Sequence, residues 1–401
     1  MANILCIYEN MIATVAGTEK FLKELADYDD RVSIKSVPIT QLNVNDINWC
    51  DILYMIRPNN ECFARLAMEV HRHGAIVVFF LDDDLMNLPK GYADMPWRKT
   101  GLANAARNSD VIVSSSPYIC KRYSEKYGVS RTVVIDTAVS SKDVRPHIEE
   151  YNQRLKFVYA AGIGHKTLFD KYIKPILGDV DKKYGDKISL TFMGVHPDIN
   201  PKEFRMPISF IDSMPFDEYR KKIESENFDI GLAPLDSNEF TKCKYFNKFI
   251  EYAMFGIVGI YSDTEPYTFV IKHKENGILV GNSPKDWLET ICETVENQKL
   301  IDACRVASYN TIKNRFDAMI IFDKFIADIP EIVREHKNRG AYRRFDLAHI
   351  KMEYRCNRMD DWIYKTRFYF KNGGIKEVVK GIKRKINTYR LEKQAERMKC
   401  L

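Results

Sequence analysis

The strongest constraint on the fold is the uninterrupted apolar run AIVVFFL at residues 75–81. An apolar run of this length, rich in β-branched and aromatic residues, is typical of a strand buried on both faces of a parallel sheet. Parallel strands need crossover connections, which are usually helices. Helical patterns flank this strand at residues 61–74 and 102–110. Strands and helices alternate in the same way throughout residues 1–150, which predicts a doubly wound α/β unit.

The alternation begins again after residues 140–154, which are polar and irregular and which we interpret as a linker. A chain of 401 residues is also too long for one ordinary core. We therefore predict two Rossmann-like doubly wound domains, at residues 1–150 and 151–330, and a basic helical tail at residues 331–401. Such sheets bind ligands at the carboxyl ends of their strands, so the two domains should face each other across a cleft.

Composition favours a soluble globular enzyme, since 45% of the residues are apolar and 29% are charged. No apolar run approaches the roughly 20 residues that a membrane-spanning helix needs. The N-terminal residues MANILCIYEN form a strand pattern and lack the basic region of a signal peptide. The nine cysteines show neither C-x-x-C pairs nor zinc-like spacing with histidine. We therefore expect buried cysteines in a protein of the reducing cytoplasm.

The segment CKYFNKFIEYAMFG, residues 243–256, predicts a short helix that carries charge near its start. Asn247 suits the N-cap position, and Gly256 suits the position that ends the helix. Free N–H groups at such an N-terminus attract phosphate oxygens, and Lys244 and Lys248 would add positive charge beside them. Glu251 lies one turn in and could accept hydrogen bonds from the paired hydroxyls of a ribose. The alternative is that both lysines are solvated and that Glu251 pairs with one of them on the surface.

The segment AAGIGHKT, residues 160–167, contains two glycines and a lysine but matches no phosphate-binding loop. His165 separates Gly164 from Lys166, so the G-x4-G-K-[ST] spacing is missing. Thr167 stands where a dinucleotide-binding G-x-G-x-x-G motif needs its last glycine. An ATPase and a dinucleotide enzyme are therefore both disfavoured.

Three acidic residues, Asp82, Asp83 and Asp84, follow the buried strand at residues 75–81. One interpretation is a D-x-D metal site on a diphosphate, and the other is an acidic loop that caps a helix. We favour carboxylates that face the cleft and contact sugar hydroxyls, with metal binding as the minority interpretation. Arg57 and Gly17 also lie near the ends of predicted strands and should point toward the cleft.

Several motifs between Asp229 and Trp287 occur in the order found in one enzyme family. They are DIGLAPL, CKYFNKFIEYAMFGIVGIYSD, ENGILV and the tryptophan itself. Together they resemble the C-terminal domain of GT-B glycosyltransferases, specifically of the retaining family 4 type. The resemblance implies transfer of a sugar from a nucleotide-diphosphate sugar, with UDP-sugars favoured, and retention of anomeric configuration. It implies no cofactor and no required metal. The acceptor would be a glycan, lipid-linked in surface polysaccharide or glycoconjugate biosynthesis.

The resemblance also implies where the donor sugar nucleotide binds. The residues that it places around the donor are Gly164, His165, Lys166, Lys244, Asn247, Lys248 and Glu251. The lysines would stabilise the negative charge on the leaving diphosphate. Asp82 falls near a family histidine that faces the cleft, which makes Asp82 a possible catalytic group, with Asp83, Arg57 and Gly17 nearby. No residue is nominated as a covalent nucleophile.

The sequence departs from the family pattern at several positions, among them the usual proline of the strand after the helix, where Val258 or Gly259 stands. The family usually carries E-x7-E, and Cys243 replaces the first glutamate while Glu251 matches the second. Some members carry K-S-x-x-K there, which residues 244–248 resemble with Tyr245 in place of serine. No arginine accompanies Lys166, where the family has a positively charged pair. A sugar-nucleotide epimerase of the same fold and a non-catalytic binding protein therefore remain alternatives.

The tail carries a charge that the rest of the chain lacks. The whole chain has a net charge of +6, residues 331–401 carry 20 Lys/Arg against 9 Asp/Glu, and the remainder is therefore −5. Ile375, Val378, Val379, Ile382 and Ile386 share one helical face that lysines and an arginine border. This basic amphipathic pattern predicts peripheral attachment to an anionic membrane on its cytoplasmic face. A helix packed on the body or on a partner helix is the alternative, and we expect no nucleic-acid binding.

Overall fold

The computed structural model describes residues 1–72, 74–88, 95–144, 154–162, 165–334 and 347–399, with side chains of the last helix described to Lys383 apart from residue 372. Most of the predicted linker and Gly164 lie outside the described residues. Within them, the chain forms two parallel six-stranded sheets with helices on their faces. The predicted pair of doubly wound domains is therefore confirmed.

The first sheet has the strand order β2-β1-β3-β4-β5-β6. Its strands are β1 Ala2–Tyr8, β2 Val32–Pro38, β3 Ile52–Ile56, β4 Ile76–Leu81, β5 Val111–Ser114 and β6 Arg131–Val134. The helices around it are α1 Ala13–Tyr28, α2 Val44–Trp49, α3 Glu61–Arg72, α4 Pro96–Arg107 and α5 Pro117–Tyr127. In β4, Val77 and Phe79 belong to the core on one face and Val78 to the core on the other, as the apolar run predicts.

The second sheet repeats the plan with the strand order β12-β11-β10-β7-β8-β9. Its strands are β7 Leu155–Ala160, β8 Ile188–Met193, β9 Ile208–Ile211, β10 Ile230–Ala233, β11 Val258–Ser262 and β12 Ile278–Val280. Its helices are α6 Lys166–Tyr172, α7 Leu177–Tyr184, α8 Phe216–Glu226, α9 Asn247–Met254, α10 Pro284–Glu296 and α11 Gln298–Arg315. A 3-10 turn at Lys174–Ile176 separates α6 from α7, and it contains Pro175, a residue that disrupts a helix interior.

After α11 the chain returns to the first domain. Val139 exchanges backbone hydrogen bonds with Phe316 and Ala318, at 2.8 and 3.0 Å. Helix α12, Ala318–Asp328, then packs its phenylalanines on α1, with ring centroids of Phe21 and Phe322 5.4 Å apart. The boundary at residue 330 stays a prediction, and the structure adds that residues 318–333 lie against the first domain.

The tail forms one long helical element, α13 Leu347–Lys399, interrupted at Gly373 and Gly374. Gly374 has a φ of +62°, a left-handed conformation that glycine adopts readily. Before this break, Ile350 and Tyr354 are buried in the core of the first domain. This half of the tail therefore packs on the body, whereas the exposed Ile375, Val379 and Ile382 lie after the break. No helix in the described part of the chain is long and apolar enough to cross a membrane.

Candidate functional site

Helix α9 starts at the carboxyl edge of the second sheet, after β10 and a 3-10 turn at Thr241–Cys243. Its N-cap is Phe246, whose ring packs 4.1 Å from the ring of Tyr245 and 5.8 Å from that of Phe316. The prediction that Asn247 caps the helix is therefore wrong, because this aromatic packing fixes the chain one residue earlier. Asn247 is the exposed first helical residue. A phenylalanine side chain cannot accept a hydrogen bond, so the N-cap side chain does not cap the first N–H groups of α9.

Glu251 is held by two side chains in a half-buried position. The Tyr219 hydroxyl, on α8, donates to Oε1, and Lys248 Nζ lies 2.5 Å from Oε2. The side chain of Glu251 is 19% exposed. Burial first, and the negative charge of Glu251 second, raise the pKa of Tyr219 well above its ordinary value, so the phenol keeps its proton for this bond. The pairing of Glu251 with a lysine is thus present, but below the surface rather than on it.

Two of the lysines predicted around the donor, Lys244 and Lys248, lie close enough to His165 to act on its charge. His165 precedes α6, and Tyr159 donates a hydrogen bond of 2.8 Å to its carbonyl oxygen. Burial first, and the positive charges of Lys244 and Lys248 second, lower the pKa of His165. Lys166 begins α6 and is partly buried. The carboxyl edge of the second sheet therefore concentrates positive charge around one imidazole.

The opposite wall of the cleft centres on Arg57, at the carboxyl end of β3. Its Nη2 donates to Asp82 Oδ2 at 2.8 Å and to Asp83 Oδ2 at 2.6 Å. Thr14, at the start of α1, donates a hydrogen bond of 2.6 Å to Asp82 as well. Burial opposes the guanidinium charge, but the two carboxylates outweigh it and hold the pKa of Arg57 above its ordinary value. Arg57 has a φ of +48°, a strained conformation for a non-glycine residue that the hydrogen bonds keep in place.

The two walls meet through Lys244, whose Nζ lies 3.6 Å from Asp83 Oδ1. Asp83 therefore faces the second domain. Tyr245 also crosses between the domains: its hydroxyl accepts a bond of 3.0 Å from the Thr137 N–H and donates one of 3.1 Å to Asp136. The residue in the position of the family serine thus binds the first domain.

Asp84 differs from its two neighbours, because it is wholly buried. It accepts hydrogen bonds from Arg122 and from Asn87, the latter at 2.6 Å. Arg122 also lies 3.6 Å from the sulfur of Cys243 and donates to Glu239 of the second domain at 3.0 Å. A glutamate in the place of Cys243 would set a second carboxylate beside Asp84. Within the described residues, no group of three or more His, Cys, Asp or Glu side chains is arranged to hold a metal ion.

Gly17 lies inside α1 and not near the end of the first strand, so that part of the prediction is wrong. The reason is that α1 starts at Ala13, only five residues after β1 ends. Gly17 is exposed, and a Cβ atom there would meet nothing within 4 Å.

Sequence reasoning missed the residues that orient the candidate site. Tyr219, Thr14 and Arg122 contact Glu251, Asp82 and Asp84 from distant parts of the chain. Each is a common residue type without a local motif, so a single sequence offers no signal for it.

No protein-family model matches the chain, and no curated protein is significantly similar to it in sequence. Solved structures do match. HepE of Anabaena, in complex with UDP and glucose, is 10% identical with a TM-score of 0.58, covering 82% of this chain and 100% of its own. Sucrose-phosphate synthase of Thermosynechococcus elongatus is 11% identical with a TM-score of 0.58, covering 83% and 99%. The lipopolysaccharide outer core galactosyltransferase WaaB, in its apo form, is 13% identical with a TM-score of 0.53, covering 82% and 99%.

These solved structures are GT-B glycosyltransferases, and the likeness defines the fold of this chain. The chain has the GT-B fold: two Rossmann-like domains whose strand ends face each other.

Proposed function

We propose that the chain is a glycosyltransferase that moves a sugar from a UDP-sugar to a glycan acceptor. The observation that carries the proposal is the pair of facing walls, with Lys244, Lys248 and Glu251 on the second domain and Arg57 with Asp82 on the first. HepE of Anabaena binds UDP and glucose, and WaaB is a galactosyltransferase, which supports this chemistry for the shared fold.

On the donor side, the diphosphate lies at the N-terminus of α9. Lys244 and Lys248 stabilise the charge that develops on the leaving diphosphate, and the N–H groups at the N-terminus of the helix add to this effect. Lys166 and the neutral His165 complete the phosphate surroundings. Glu251 accepts hydrogen bonds from the ribose, and the bond from Tyr219 keeps its carboxylate oriented for them.

On the acceptor side, Asp82 contacts the sugar hydroxyls near the reacting carbon. Arg57 and Thr14 hold its carboxylate, which leaves little freedom to rearrange when a substrate binds. The resemblance to the family 4 type supports transfer with retention of configuration and without a metal. No side chain here is assigned as a nucleophile.

The acceptor that we propose is lipid-linked, on the cytoplasmic face of a membrane that the basic tail binds reversibly. The charge split between tail and body supports this, because +11 in residues 331–401 stands against −5 elsewhere. The pathway would be the synthesis of a surface polysaccharide or glycoconjugate.

One observation favours a second candidate, a non-catalytic protein that binds sugar nucleotides. Cys243 takes the position of the first family glutamate and is buried beside Asp84 and Arg122, where it cannot reach a sugar without rearrangement.

The test has two stages, and each candidate predicts a different result. In the first, UDP-, GDP-, CMP- and dTDP-sugars are compared for their effect on the thermal unfolding midpoint, since specific binding raises it. Both candidates predict a rise with a UDP-sugar. In the second, the binding sugar is incubated with membrane glycolipid fractions. Transfer to a lipid supports the transferase, binding without any turnover supports the second candidate, and no rise with any sugar nucleotide contradicts both.

A further inference from the structure

The half of α13 before the glycine break has two faces with different surroundings. On one face, Ile350 and Tyr354 are buried against the first domain, and Glu353 accepts a hydrogen bond of 2.8 Å from Arg65 of α3. Asp361 on the same face is 4% exposed and accepts a bond of 3.0 Å from Arg98. These contacts fix the helix on the body, so its outer face has a defined direction.

The outer face carries large apolar side chains in solvent. Met352, Met359 and Phe370 are 58%, 60% and 59% exposed, and Trp362 beside them is 52% exposed. At about 3.6 residues per turn, the first three project to one side, roughly opposite Asp361. Seven of the seventeen large apolar side chains exposed in the described part of the chain lie between Met352 and Ile382. Apolar residues concentrated in this way mark an interaction surface, whereas scattered ones do not.

Basic residues border this apolar face. Arg355, Arg367 and Lys371 are exposed along it, with Asp360 as an acidic neighbour. We infer that this outer face, from Met352 to Phe370, lies on the surface of a bilayer that contains anionic lipids. Anionic headgroups neutralise the basic border while the apolar side chains enter the headgroup boundary, where tryptophan is favoured. A second copy of the same face would instead set basic borders against each other, and like charges repel.

The contacts of α13 also set its direction on the first domain. It runs antiparallel to α3, because Glu353 lies beside Arg65 and Asn357 donates to Asn60, which precedes α3, at 2.8 Å. Asp361 then reaches Arg98 in the first turn of α4. Helices that follow parallel strands begin at the carboxyl edge of the sheet, so α13 leads toward that edge. The outer face thus begins at Met352, about six turns before the segment at residues 375–386 that the sequence singled out.

The consequence for the acceptor rests on the proposed function. Asp82 and Asp83 lie at the same carboxyl edge. A bilayer against the outer face of α13 would therefore hold this edge close to the headgroups, within reach of a lipid-linked glycan.

The test uses the full chain and vesicles of phosphatidylcholine, alone or mixed with phosphatidylglycerol. The parent chain should float with the mixed vesicles and not with the neutral ones. Trp362→Ser combined with Phe370→Ser should lower the partition coefficient at least about tenfold, because two of the inserting side chains are lost. The matched control is Met319→Ser with Ile320→Ser, on α12, where the side chains are 60% and 46% exposed. It should bind within about twofold of the parent.

Several results would overturn the inference. The first is that the Trp362 and Phe370 variant binds the mixed vesicles as well as the parent does, and the second is that the α12 control loses as much binding as this variant. The third is that the parent sediments as a dimer, the variant sediments as a monomer, and neither protein binds vesicles. Because the substituted side chains are more than half exposed, the unfolding midpoint of the variant should match that of the parent. A UDP-sugar thermal shift on both proteins separates the two proposals. Vesicle binding without any such shift would contradict the proposed transferase and would still support the outer face of α13 as a membrane-binding surface.

Discussion

The two walls of the cleft are assembled from chain segments of very different span. On the second-domain wall, Lys244, Lys248 and Glu251 come from residues 244–251, which form one turn and one short helix, and only Lys166 and His165 come from elsewhere, at the start of α6. The first-domain wall takes Thr14 from the start of α1, and Arg57 and Asp82 from the carboxyl ends of β3 and β4. The contiguous wall carries a motif that is visible in the sequence, whereas the dispersed wall exists only once the sheet has formed.

The comparison suggests a division of labour between the walls. The second wall should set the affinity for the sugar nucleotide, and the first should set the rate of transfer. Each prediction below tests this division.

The largest expected effect is on the first wall. Asp82→Asn should lower turnover about 10²-fold or more, as expected for a carboxylate that acts at the reacting centre, with donor affinity nearly unchanged. Turnover and the dissociation constant of the UDP-sugar are measured separately. Asp212→Asn, at a carboxylate that is 91% exposed, is the matched control and should change neither quantity. A loss of donor affinity with intact turnover would move Asp82 to the donor side and break the division.

On the second wall, Glu251→Gln should weaken UDP-sugar binding by about 1–3 kcal/mol, the scale of a lost hydrogen bond to a charged group. Isothermal titration measures the change. Glu275→Gln is the control, because Glu275 is 60% exposed and pairs only with Lys272 among the described residues. Unchanged affinity in a folded Glu251 variant would remove this residue from the donor site.

Tyr219→Phe should have a smaller effect, about 0.5–1.5 kcal/mol in donor affinity, because it removes one hydrogen bond that orients Glu251. A double-mutant cycle with Glu251→Gln measures the coupling between the two side chains. We expect the effects to be non-additive, since the phenol acts through the carboxylate. Fully additive losses would show that Tyr219 contacts the nucleotide independently.

A modest pH effect should come from His165, whose pKa lies below its ordinary value of 6.5. The unfolded chain then binds a proton more readily than the folded one, so the free energy of unfolding should fall as the pH drops below about 6.5 toward the folded pKa. Urea unfolding of the parent and of His165→Gln, at about pH 7 and about pH 5.5, measures the difference. An identical pH dependence in both proteins would contradict a lowered pKa for this buried imidazole.

The smallest expected effect is that of metal removal, where we predict no change in turnover. Arg57 engages Asp82 and Asp83, and Arg122 engages Asp84, so these carboxylates already have cationic partners. The assay is run in excess chelator and then with added Mn²⁺ or Mg²⁺. Activity that disappears and is restored by the ion would promote the D-x-D interpretation and give the first wall a share in donor binding.

The sequence predicted the fold well where local patterns are strong. A continuous apolar run such as β4 can be recognised as a strand from the sequence, because a strand buried on both faces has no polar positions. The edge strand β2, VSIKSVP, was missed because its apolar positions are diluted by polar ones. The candidate site residues could be proposed from the sequence where they are contiguous, as in residues 244–251. The hydrogen bonds that orient it join residues 32 apart at Tyr219 and Glu251 and 68 apart at Thr14 and Asp82, which no local pattern encodes.

The tail shows the same limit on a larger scale. Its helical and basic character was predicted from periodicity and charge. Its attachment to the body depends on Asp361 and Arg98, which are 263 residues apart, and on Tyr354 in the core of the first domain. The helix is apolar on two sides, because some of its apolar residues pack on the first domain and others are exposed. The sequence alone does not separate these two sets of residues.

The backbone exchange at Val139 has a mechanical consequence. The chain passes between the domains twice, and at this point both passages are hydrogen-bonded to each other, through Val139 with Phe316 and Ala318. Two chain segments that are hydrogen-bonded to each other at one point would keep the domains together there and still allow them to rotate about it. The domains would then open by rotation about this hinge point. The ion pairs Lys244–Asp83 and Arg122–Glu239, which join the two domains, would break first. A product bound between the two walls would leave on the side opposite this contact of Val139 with Phe316 and Ala318.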